Sequence, residues 1–287
     1  MKTSITHLPR FQSISIRNVN ILQILLIKKP LILISLLFLQ CYFLNAQTIY
    51  VDAANNSGIE NGSKQNPFNT VTEGINAANS GDSVYIFAGY YPENSQQYCY
   101  LKDGLVITGQ DSSSVIINTG FINADASMNY YTEVSNVNFK DFRILTGDGT
   151  STIVIKKCRF QYANYSAADG YTFIIENCTI DEGIRNVSGS CYLFVKNNII
   201  SDGRIEDSGG APPGIEAHII ENNVIYNSGL SYPEEAVIRA TSTSITLLNN
   251  IITCTGTGSG VYLTSGTPTN IIDNHITLNN GNPIVGT

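Results

Sequence analysis

The sequence predicts an all-β solenoid, namely a single-stranded right-handed parallel β-helix of about ten rungs with an N-terminal capping helix. One observation is a six-residue pattern that recurs seven times at intervals of 20 to 27 residues, a spacing typical of solenoid repeats. The other is a composition with much Asn, Ile, Val and Thr and only 14% charged residues, which suits short strands joined by tight polar turns.

Residues 1–47 are predicted to be a signal peptide and leader. Lys28 and Lys29 precede the apolar stretch LILISLLFLQCYFL (31–44), and Ala46 follows it. Basic residues, a short apolar core and a small residue are typical of secretory signal peptides. The stretch is shorter than the roughly 20 residues of a membrane span. We expect cleavage after Ala46 and no membrane span afterwards. An uncleaved anchor is the alternative, and the true start codon is left open within the long leader.

The remaining domain, residues 48–287, is acidic. Removal of the leader leaves 11 basic residues against 23 acidic ones, a net charge of −12. This balance argues against a nucleic-acid partner, because phosphate contacts need Lys and Arg. It is compatible with a neutral glycan, or with an anionic glycan bridged by a metal. The five cysteines of this domain include no CxxC pair, so most are expected to be small buried residues.

Residues 48–90 are predicted to cap the N-terminal end of the solenoid, which would otherwise expose its core. The stretch TIYVDA begins this segment as a strand, and an Asn/Gly/Ser-rich loop follows up to Pro67. Thr70 and Glu73 have the spacing of a capping box. Next come four residues predicted to share one face of a short helix, and Gly81 is predicted to end that helix. The four residues are Val71, Gly74, Ile75 and Ala78.

The repeated pattern predicts a strand, a sharp bend and a second strand in every rung. Its first and sixth positions are apolar, and the polar residues between them favour a turn. Asn tolerates the left-handed backbone conformation that such a bend requires. The seven copies are VSNVNF (134–139), IKKCRF (155–160), IENCTI (175–180), VKNNII (195–200), IENNVI (220–225), LLNNII (247–252) and IIDNHI (271–276).

The fourth positions of the repeats are predicted to stack as one inner column, with rungs about 4.8 Å apart. Stacked Asn amides can hydrogen-bond along such a column, and Cys is small enough to continue it. A disulfide between the two cysteines is an alternative. The predicted structural ladder consists of Cys158, Cys178, Asn198, Asn223, Asn250 and Asn274, with Val137 above it.

The opening segment, YVDAANNSG followed by NPFNTVTEGINAANSGDSVYIFAGYY, resembles that of secreted bacterial right-handed β-helix proteins of the pectin-lyase-like superfamily. The later rungs resemble the parallel β-helix repeats of that superfamily. The resemblance covers nearly all of residues 48–287 and implies a secreted protein or one on the outer surface of a bacterium. Members include polysaccharide lyases, glycoside hydrolases, epimerases and non-catalytic surface proteins. NNGNPIVGT follows the last repeat without a recognisable cap, so a truncated C-terminus is one expectation.

Alignment of the rungs predicts one outward row that could contact a glycan. The segments 236–250 and 260–274 align without gaps, and GIR (183–185) and GIE (214–216) are predicted to begin equivalent strands. The predicted row is Arg185, Glu216, Ile238 and Tyr262. Some rungs contain extra loops that project from the coil, here called excursion loops. These loops are predicted to add six residues near the row, namely Arg204, Glu206, Asp207, Tyr232, Glu234 and Glu235. The alternative is a solvated face with scattered charges.

The sequence therefore predicts a monomeric β-helix protein that binds, and in one version cleaves, a polysaccharide. No lyase or hydrolase motif is intact, so catalysis stays open and no catalytic residue is assigned. No metal site is recognised; Ca²⁺ would be the expected cofactor of a lyase, because the uronate carboxylate must be neutralised. The rival hypothesis is a non-catalytic adhesive or structural solenoid of the cell surface.

Overall fold

The computed structural model describes residues 46–93, 101–118, 131–145, 151–161, 163–166, 171–186, 191–207, 218–230, 235–240, 245–263 and 269–286. These residues lie in one compact unit that spans residues 46–287. The predicted signal peptide lies outside the described residues, apart from its last two positions. Cys99 also lies outside them.

Three sheets enclose one core, and neighbouring strands within each sheet pair in parallel. Strands are numbered in chain order. In the described part of the chain, one sheet has ten strands. They are β1 (Thr48–Val51), β2 (Ser83–Ile86), β4 (Leu105–Gly109), β6 (Tyr131–Ser135), β9 (Thr152–Lys156), β12 (Tyr171–Glu176), β15 (Cys191–Lys196), β18 (His218–Glu221), β21 (Ile245–Leu248) and β24 (Thr269–Ile272).

The other two sheets have nine and seven strands among the described residues. The nine-stranded sheet consists of β3 (Gly89–Tyr91), β5 (Val115–Ile117), β7 (Asn138–Phe139), β10 (Arg159–Phe160), β13 (Thr179–Ile180), β16 (Ile199–Ser201), β19 (Val224–Asn227), β22 (Ile251–Cys254) and β25 (His275–Leu278). The seven-stranded sheet consists of β8 (Phe142–Leu145), β11 (Ala163–Ser166), β14 (Gly183–Asn186), β17 (Arg204–Asp207), β20 (Ala236–Ala240), β23 (Ser259–Leu263) and β26 (Ile284–Gly286).

This architecture confirms the predicted all-β parallel solenoid with one capping helix. From β6 onward, each rung visits the three sheets in order, as the run from β12 through β13 to β14 shows. The predicted number of about ten rungs applies to one sheet only, because the other two sheets have fewer strands in the described residues.

The third position of every repeat makes the sharp bend. Its residues have φ between 53° and 57°, in the left-handed region. Asn and Asp tolerate this region better than other residues with a Cβ atom. The bend therefore depends on the third position of the repeat, whereas the ladder is formed by the fourth. The seven residues are Asn136, Lys157, Asn177, Asn197, Asn222, Asn249 and Asp273.

The fourth positions stack inside the coil, and the Asn amides hydrogen-bond from rung to rung. Each Oδ1 accepts the backbone N–H of the ladder residue in the preceding rung, at 2.8–3.0 Å. Each Nδ2 donates to the carbonyl at the first position of the preceding repeat, at 2.7–2.9 Å. The amides also bond to one another, as Nδ2 of Asn223 does to Oδ1 of Asn250 at 3.0 Å.

The two ladder cysteines occupy the same column and are free thiols. The Sγ atom of Cys178 lies 3.7 Å from the carbonyl oxygen of Ile155, and that of Cys158 lies 3.7 Å from the carbonyl oxygen of Val134. These carbonyls stand at the first position of the preceding repeat, where the Asn amides donate. A thiol therefore makes the same contact as Nδ2, but as a weaker and longer one.

Columns of apolar side chains fill the rest of the interior. The sixth position of the repeats is fully buried from Phe139 to Ile252. The rings of Phe139 and Phe160 stack 5.7 Å apart and nearly parallel. Burial of each such side chain contributes roughly 1.5–3 kcal/mol. The core stabilises every rung by contact with its neighbours, as solenoid packing requires.

A short helix, α1 (Val71–Ala77), forms within the segment where a helix was predicted, and it packs on β1. Oγ1 of the N-cap residue Thr70 accepts the backbone N–H of Glu73 at 3.2 Å. The predicted inward residues are buried, and a Cβ atom on Gly74 would lie 2.4 Å from Val51. The prediction that Gly81 ends the helix was wrong, because the C-cap is Ala78 in an extended conformation.

Charged side chains stabilise both ends of α1. The Glu93 carboxylate accepts the backbone N–H of Val71 at 2.6 Å. The Lys102 ammonium donates to the carbonyls of Ile75 and Asn76 at 3.0 and 2.9 Å, and also to that of Ala78. A carboxylate at the N-terminus and a cation at the C-terminus both complement the helix dipole.

Candidate functional site

The outer face of the seven-stranded sheet carries a column of charged and aromatic side chains. Arg185 on β14 pairs in register with Glu206 on β17. Glu206 pairs with Arg239 on β20, which pairs with Tyr262 on β23. Successive residues of a strand point to opposite faces, so Ile205 and the other apolar neighbours of this column fill the core. The four side chains therefore line up on consecutive rungs of one face.

Three arginines surround the carboxylate of Glu206. The Oε2 atom lies 3.2 Å from Nε of Arg185 and 3.0 Å from Nη2 of Arg204, and Oε1 lies 3.6 Å from Nη1 of Arg239. The guanidinium of Arg239 also lies over the ring of Tyr262, 5.7 Å from its centroid, a cation–π geometry. We call these five residues the arginine cluster.

The arginine cluster has an excess of positive charge that faces solvent. The Glu206 side chain is only 7% exposed, whereas those of Arg185, Arg239 and Arg204 are 45%, 40% and 29% exposed. One buried carboxylate thus lies beneath three accessible guanidinium groups, a local net charge of about +2 at neutral pH. Among the described residues, neither Oε2 of Glu206 nor Nε of Arg239 has a hydrogen-bond partner of good geometry. The donors accessible to an anionic ligand are therefore the partly exposed guanidinium groups and not these two buried atoms.

A groove runs along the corner between the nine-stranded and seven-stranded sheets, beside the arginine cluster. It consists of two adjoining cavities of about 490 and 280 Å³ that share Glu182 and Asp202. Arg204 lines the second cavity and connects the groove to the cluster. We call this the corner groove. The first cavity is lined by Asn138, Lys140, Arg159, Gln161, Asp181, Glu182 and Asp202.

Polar side chains of the corner groove pair with one another across rungs. Arg159 forms an ion pair with Asp181 at 3.1 Å, and Nε2 of Gln161 donates to Oε1 of Glu182 at 3.2 Å. Amides, carboxylates and a guanidinium at this spacing offer donors and acceptors of the kind that sugar hydroxyls require. The groove therefore offers both hydrogen-bond donors and acceptors to a polar ligand.

The structure brings together some of the residues that the sequence analysis proposed for a glycan surface. Arg185, Arg204 and Tyr262 all lie in the arginine cluster. Asp207 belongs to β17, but its side chain lies outside the described residues, as does Glu216 entirely. Glu206, which was placed in an excursion loop, is instead the buried centre of the cluster.

The alignment behind the predicted outward row was wrong in two places. The strand that follows β14 in the sheet is β17, not the GIE segment, so Arg204–Asp207 is not an excursion loop. Ile238 is fully buried, and its neighbour Arg239 points outward instead. Insertions of different length between rungs shift the register, and a shift of one residue exchanges the two faces of a strand. Arg239 was missed for this reason.

A family model described as right handed beta helix region matches residues 144–287. The chain belongs to this right-handed β-helix family. The match extends from the first strand of the seven-stranded sheet to the end of the sequence and includes every residue of the arginine cluster. The predicted handedness of the solenoid agrees with the family.

Three solved structures match this right-handed β-helix at low sequence identity. The A-module of the mannuronan C-5 epimerase AlgE4 of Azotobacter vinelandii has 15% identity over 78% of this chain and 76% of its own, with a TM-score of 0.42. Endopolygalacturonase I of Stereum purpureum has 11% identity over 84% and 93%, with a TM-score of 0.33. A rhamnogalacturonan lyase has 14% identity over 83% and 62%, with a TM-score of 0.26. No curated protein matches the chain in sequence.

Within the described ranges, no group of three or more His, Cys, Asp or Glu residues could hold a metal ion. The same ranges contain no helix that is both long and apolar enough to cross a membrane.

Proposed function

We propose that this protein is a secreted bacterial β-helix that binds an anionic polysaccharide through the arginine cluster. The observation that carries the proposal is the buried Glu206 carboxylate beneath three exposed arginines on consecutive rungs. Guanidinium groups bind carboxylates with two parallel hydrogen bonds, which suits the uronate units of acidic glycans. The leader and the superfamily resemblance of the sequence support export from a bacterial cell.

Each residue of the cluster would have a distinct role. Glu206 would hold the three guanidinium groups together and offset their mutual repulsion, since like charges on adjacent strands otherwise destabilise a sheet. Arg185 and Arg239, the most exposed of the three, would bind the sugar carboxylate. The ring of Tyr262 would orient Arg239 and present an apolar surface to a sugar ring.

The corner groove would bind the neighbouring sugar units. Its polar side chains suit hydroxyl groups, and Arg204 belongs both to the groove and to the cluster. The long axis of the groove crosses successive rungs, so an extended glycan could lie along the solenoid. This arrangement supports binding and leaves cleavage, with or without Ca²⁺, as a separate question for experiment.

The test is a calorimetric titration of the purified protein with a polyuronate and with a neutral polysaccharide of similar length. We expect binding of the polyuronate only, weakening as salt screens the charges. Arg239→Ala and Arg185→Ala should each weaken binding about tenfold or more, because a charge-assisted hydrogen bond contributes about 1.5–3 kcal/mol. Arg159→Ala removes an exposed arginine of the corner groove and is the matched control, with a smaller loss.

Repetition of the titration with Ca²⁺ or a chelator separates direct arginine binding from metal bridging. The same mixtures, followed by absorbance of unsaturated products and by reducing-sugar release, report any lyase or hydrolase activity. Equal affinity for the charged and neutral glycans, or unchanged affinity in both arginine variants, would refute the proposal. The rival adhesive solenoid would then be favoured.

A further inference from the structure

The outer face of the ten-stranded sheet carries two adjacent columns of side chains that run across four rungs. One column is apolar, and its members pair in register on β9, β12, β15 and β18. We call it the apolar column, and it consists of Val154, Ile174, Phe194 and Ile219. The other is the charged column, which consists of Lys156, Glu176, Lys196 and Glu221 on the same four strands.

The apolar column lies on the outside of the coil, because its residues alternate with the core residues of each strand. In β15, for example, Leu193 and Val195 are buried in the core while Phe194 between them is partly exposed. Lys196 lies over the ring of Phe194, with Nζ 5.9 Å from the centroid. Val154 is only 6% exposed, so the accessible part of the column consists of Ile174, Phe194 and Ile219, which are partly exposed. An apolar row with a charged edge on the outer face of a sheet is a candidate interaction surface.

The charged column alternates in sign along the solenoid axis. Its members are only partly exposed, with 32% for Lys156, 35% for Lys196 and 26% for Glu221. Lys196 pairs with Glu221 at 3.3 Å within the chain, and Lys156 pairs with Glu133 of the preceding rung at 2.7 Å. An alternating series of four charges has a particular symmetry: read in reverse order, it presents the opposite sign at every position.

We propose that this face binds a second copy of the chain, with the two solenoid axes antiparallel. The two-fold axis would run parallel to the strands, between β12 and β15. Each column would then face its own copy in reverse order. Lys156 would face Glu221 of the other copy, Glu176 would face Lys196, and the apolar columns would form the centre of the interface.

Charge complementarity favours the antiparallel arrangement of two copies over the parallel one. The other two-fold arrangement of the same face, with parallel solenoid axes, would place the charged column opposite a hydroxyl column of Thr152, Thr172 and Tyr192. The reversed arrangement instead gives four facing ion pairs and a shared apolar core. A self-complementary patch of this kind is what a two-fold symmetric dimer requires.

The area sets the expected strength. With neighbouring rungs included, six rungs at about 4.8 Å and five residues at about 3.3 Å give a face of roughly 29 by 16 Å. This is below the ~800 Å² per partner of a standard stable interface. The dimer should therefore be weak and reversible, with a dissociation constant in the micromolar range.

Sedimentation velocity over a series of protein concentrations tests the proposal. We expect a monomer–dimer equilibrium for the wild-type protein. Lys196→Glu places two carboxylates opposite each other, and Glu176→Lys does the same with two ammonium groups, so each variant alone should dimerise at least tenfold more weakly. An equimolar mixture of the two variants should dimerise again, because the facing charges are opposite in the mixed dimer.

Lys140→Glu, on the outer face of the nine-stranded sheet, is the matched charge-reversal control and should leave dimerisation unchanged. If either column variant melts at a lower temperature than wild type, a mixture of Lys156→Glu and Glu221→Lys tests the same geometry. These two positions form the other facing pair of the proposed dimer. A monomer at all concentrations overturns the proposal. So does a dimer that both variants retain, which would implicate another face such as the exposed row Ile199, Val224 and Ile251. Loss of dimerisation in both variants without recovery on mixing overturns the antiparallel geometry.

Discussion

The inner ladder has two parts that differ in chemistry but share one backbone geometry. From Asn198 to Asn274 the column is built of amides, each with hydrogen bonds of normal length to the preceding rung. At Cys158 and Cys178 the same contacts are made by sulfur at up to 3.7 Å. The preceding bend residues nevertheless have nearly the same φ in both parts. The coil geometry therefore does not depend on the amide ladder, which instead adds stability to rungs that already have their shape.

The third and fourth positions of the repeat have two different requirements, although Asn often occupies both. The third position must adopt a left-handed conformation, and the fourth must fill the interior. In three of the four rungs of the Asn part the same residue type meets both requirements, as in Asn222 and Asn223. In the Cys part they are met by different residues, as in Lys157 and Cys158.

Alkaline pH should weaken the Cys part selectively. Burial raises the pKa of the Cys178 thiol to about 12, from an ordinary value of 9.0. The raised pKa means that folding favours the neutral thiol, so this stabilisation is fully present below pH 9. It is lost as the pH rises from 9 to 12, by about 1.4 kcal/mol per pH unit and about 4 kcal/mol in total. Urea unfolding of wild type and Cys178→Ala across this range should give a shallower pH dependence for the variant.

Asn223→Ala is the control for that experiment and should keep the wild-type slope, because an amide does not titrate. Identical slopes for the wild type and Cys178→Ala would contradict the assignment of the alkaline loss to this thiol.

Asn223→Ala should destabilise the protein by about 1–3 kcal/mol at neutral pH. The substitution leaves the backbone N–H of Asn198 and the carbonyl of Val195 without their ladder partner. Thermal or urea unfolding measures the change. Cys158→Ala, at the same position of an earlier rung, removes only weak sulfur contacts and should cost less. Equal losses in the two variants would show that the amides add nothing beyond packing.

Cys178→Asn should stabilise the protein by about 1 kcal/mol, because it extends the amide ladder by one rung. The new amide could donate to the carbonyl of Ile155 and accept the backbone N–H of Cys158, as its neighbours do. Urea unfolding at neutral pH measures the gain. A loss of stability would mean that the column around Cys158 is too narrow for an amide.

Lys157→Asn should give the smallest effect, a gain of about 0.5–1 kcal/mol, by placing a residue that tolerates φ of 54° at the bend. The midpoint of urea unfolding measures it. Lys140→Asn removes the same charge where the backbone has no positive φ and should leave the midpoint nearly unchanged. A matching gain in both variants would assign the effect to charge and not to the backbone.

Much of the architecture was predictable because it depends on local sequence. The repeats predicted the strand–bend–strand unit and the residues of the inner column, because their periodicity indicates which side chains are buried. The Thr70 cap was predictable for the same reason, because a capping box lies within four residues. What was not predictable was the outer arrangement, and the candidate site is the clearest case.

The rungs of the coil, its bends and the residues that stack within it follow from the sequence alone. The meeting of Arg185, Glu206 and Arg239 on one face became visible only in the folded chain, as did the alternating signs of the charged column of the ten-stranded sheet. This difference arises because the connections between rungs vary in length. Outward residues of different rungs contact each other through strand pairing, and each insertion resets their register without changing the local pattern that defines the core.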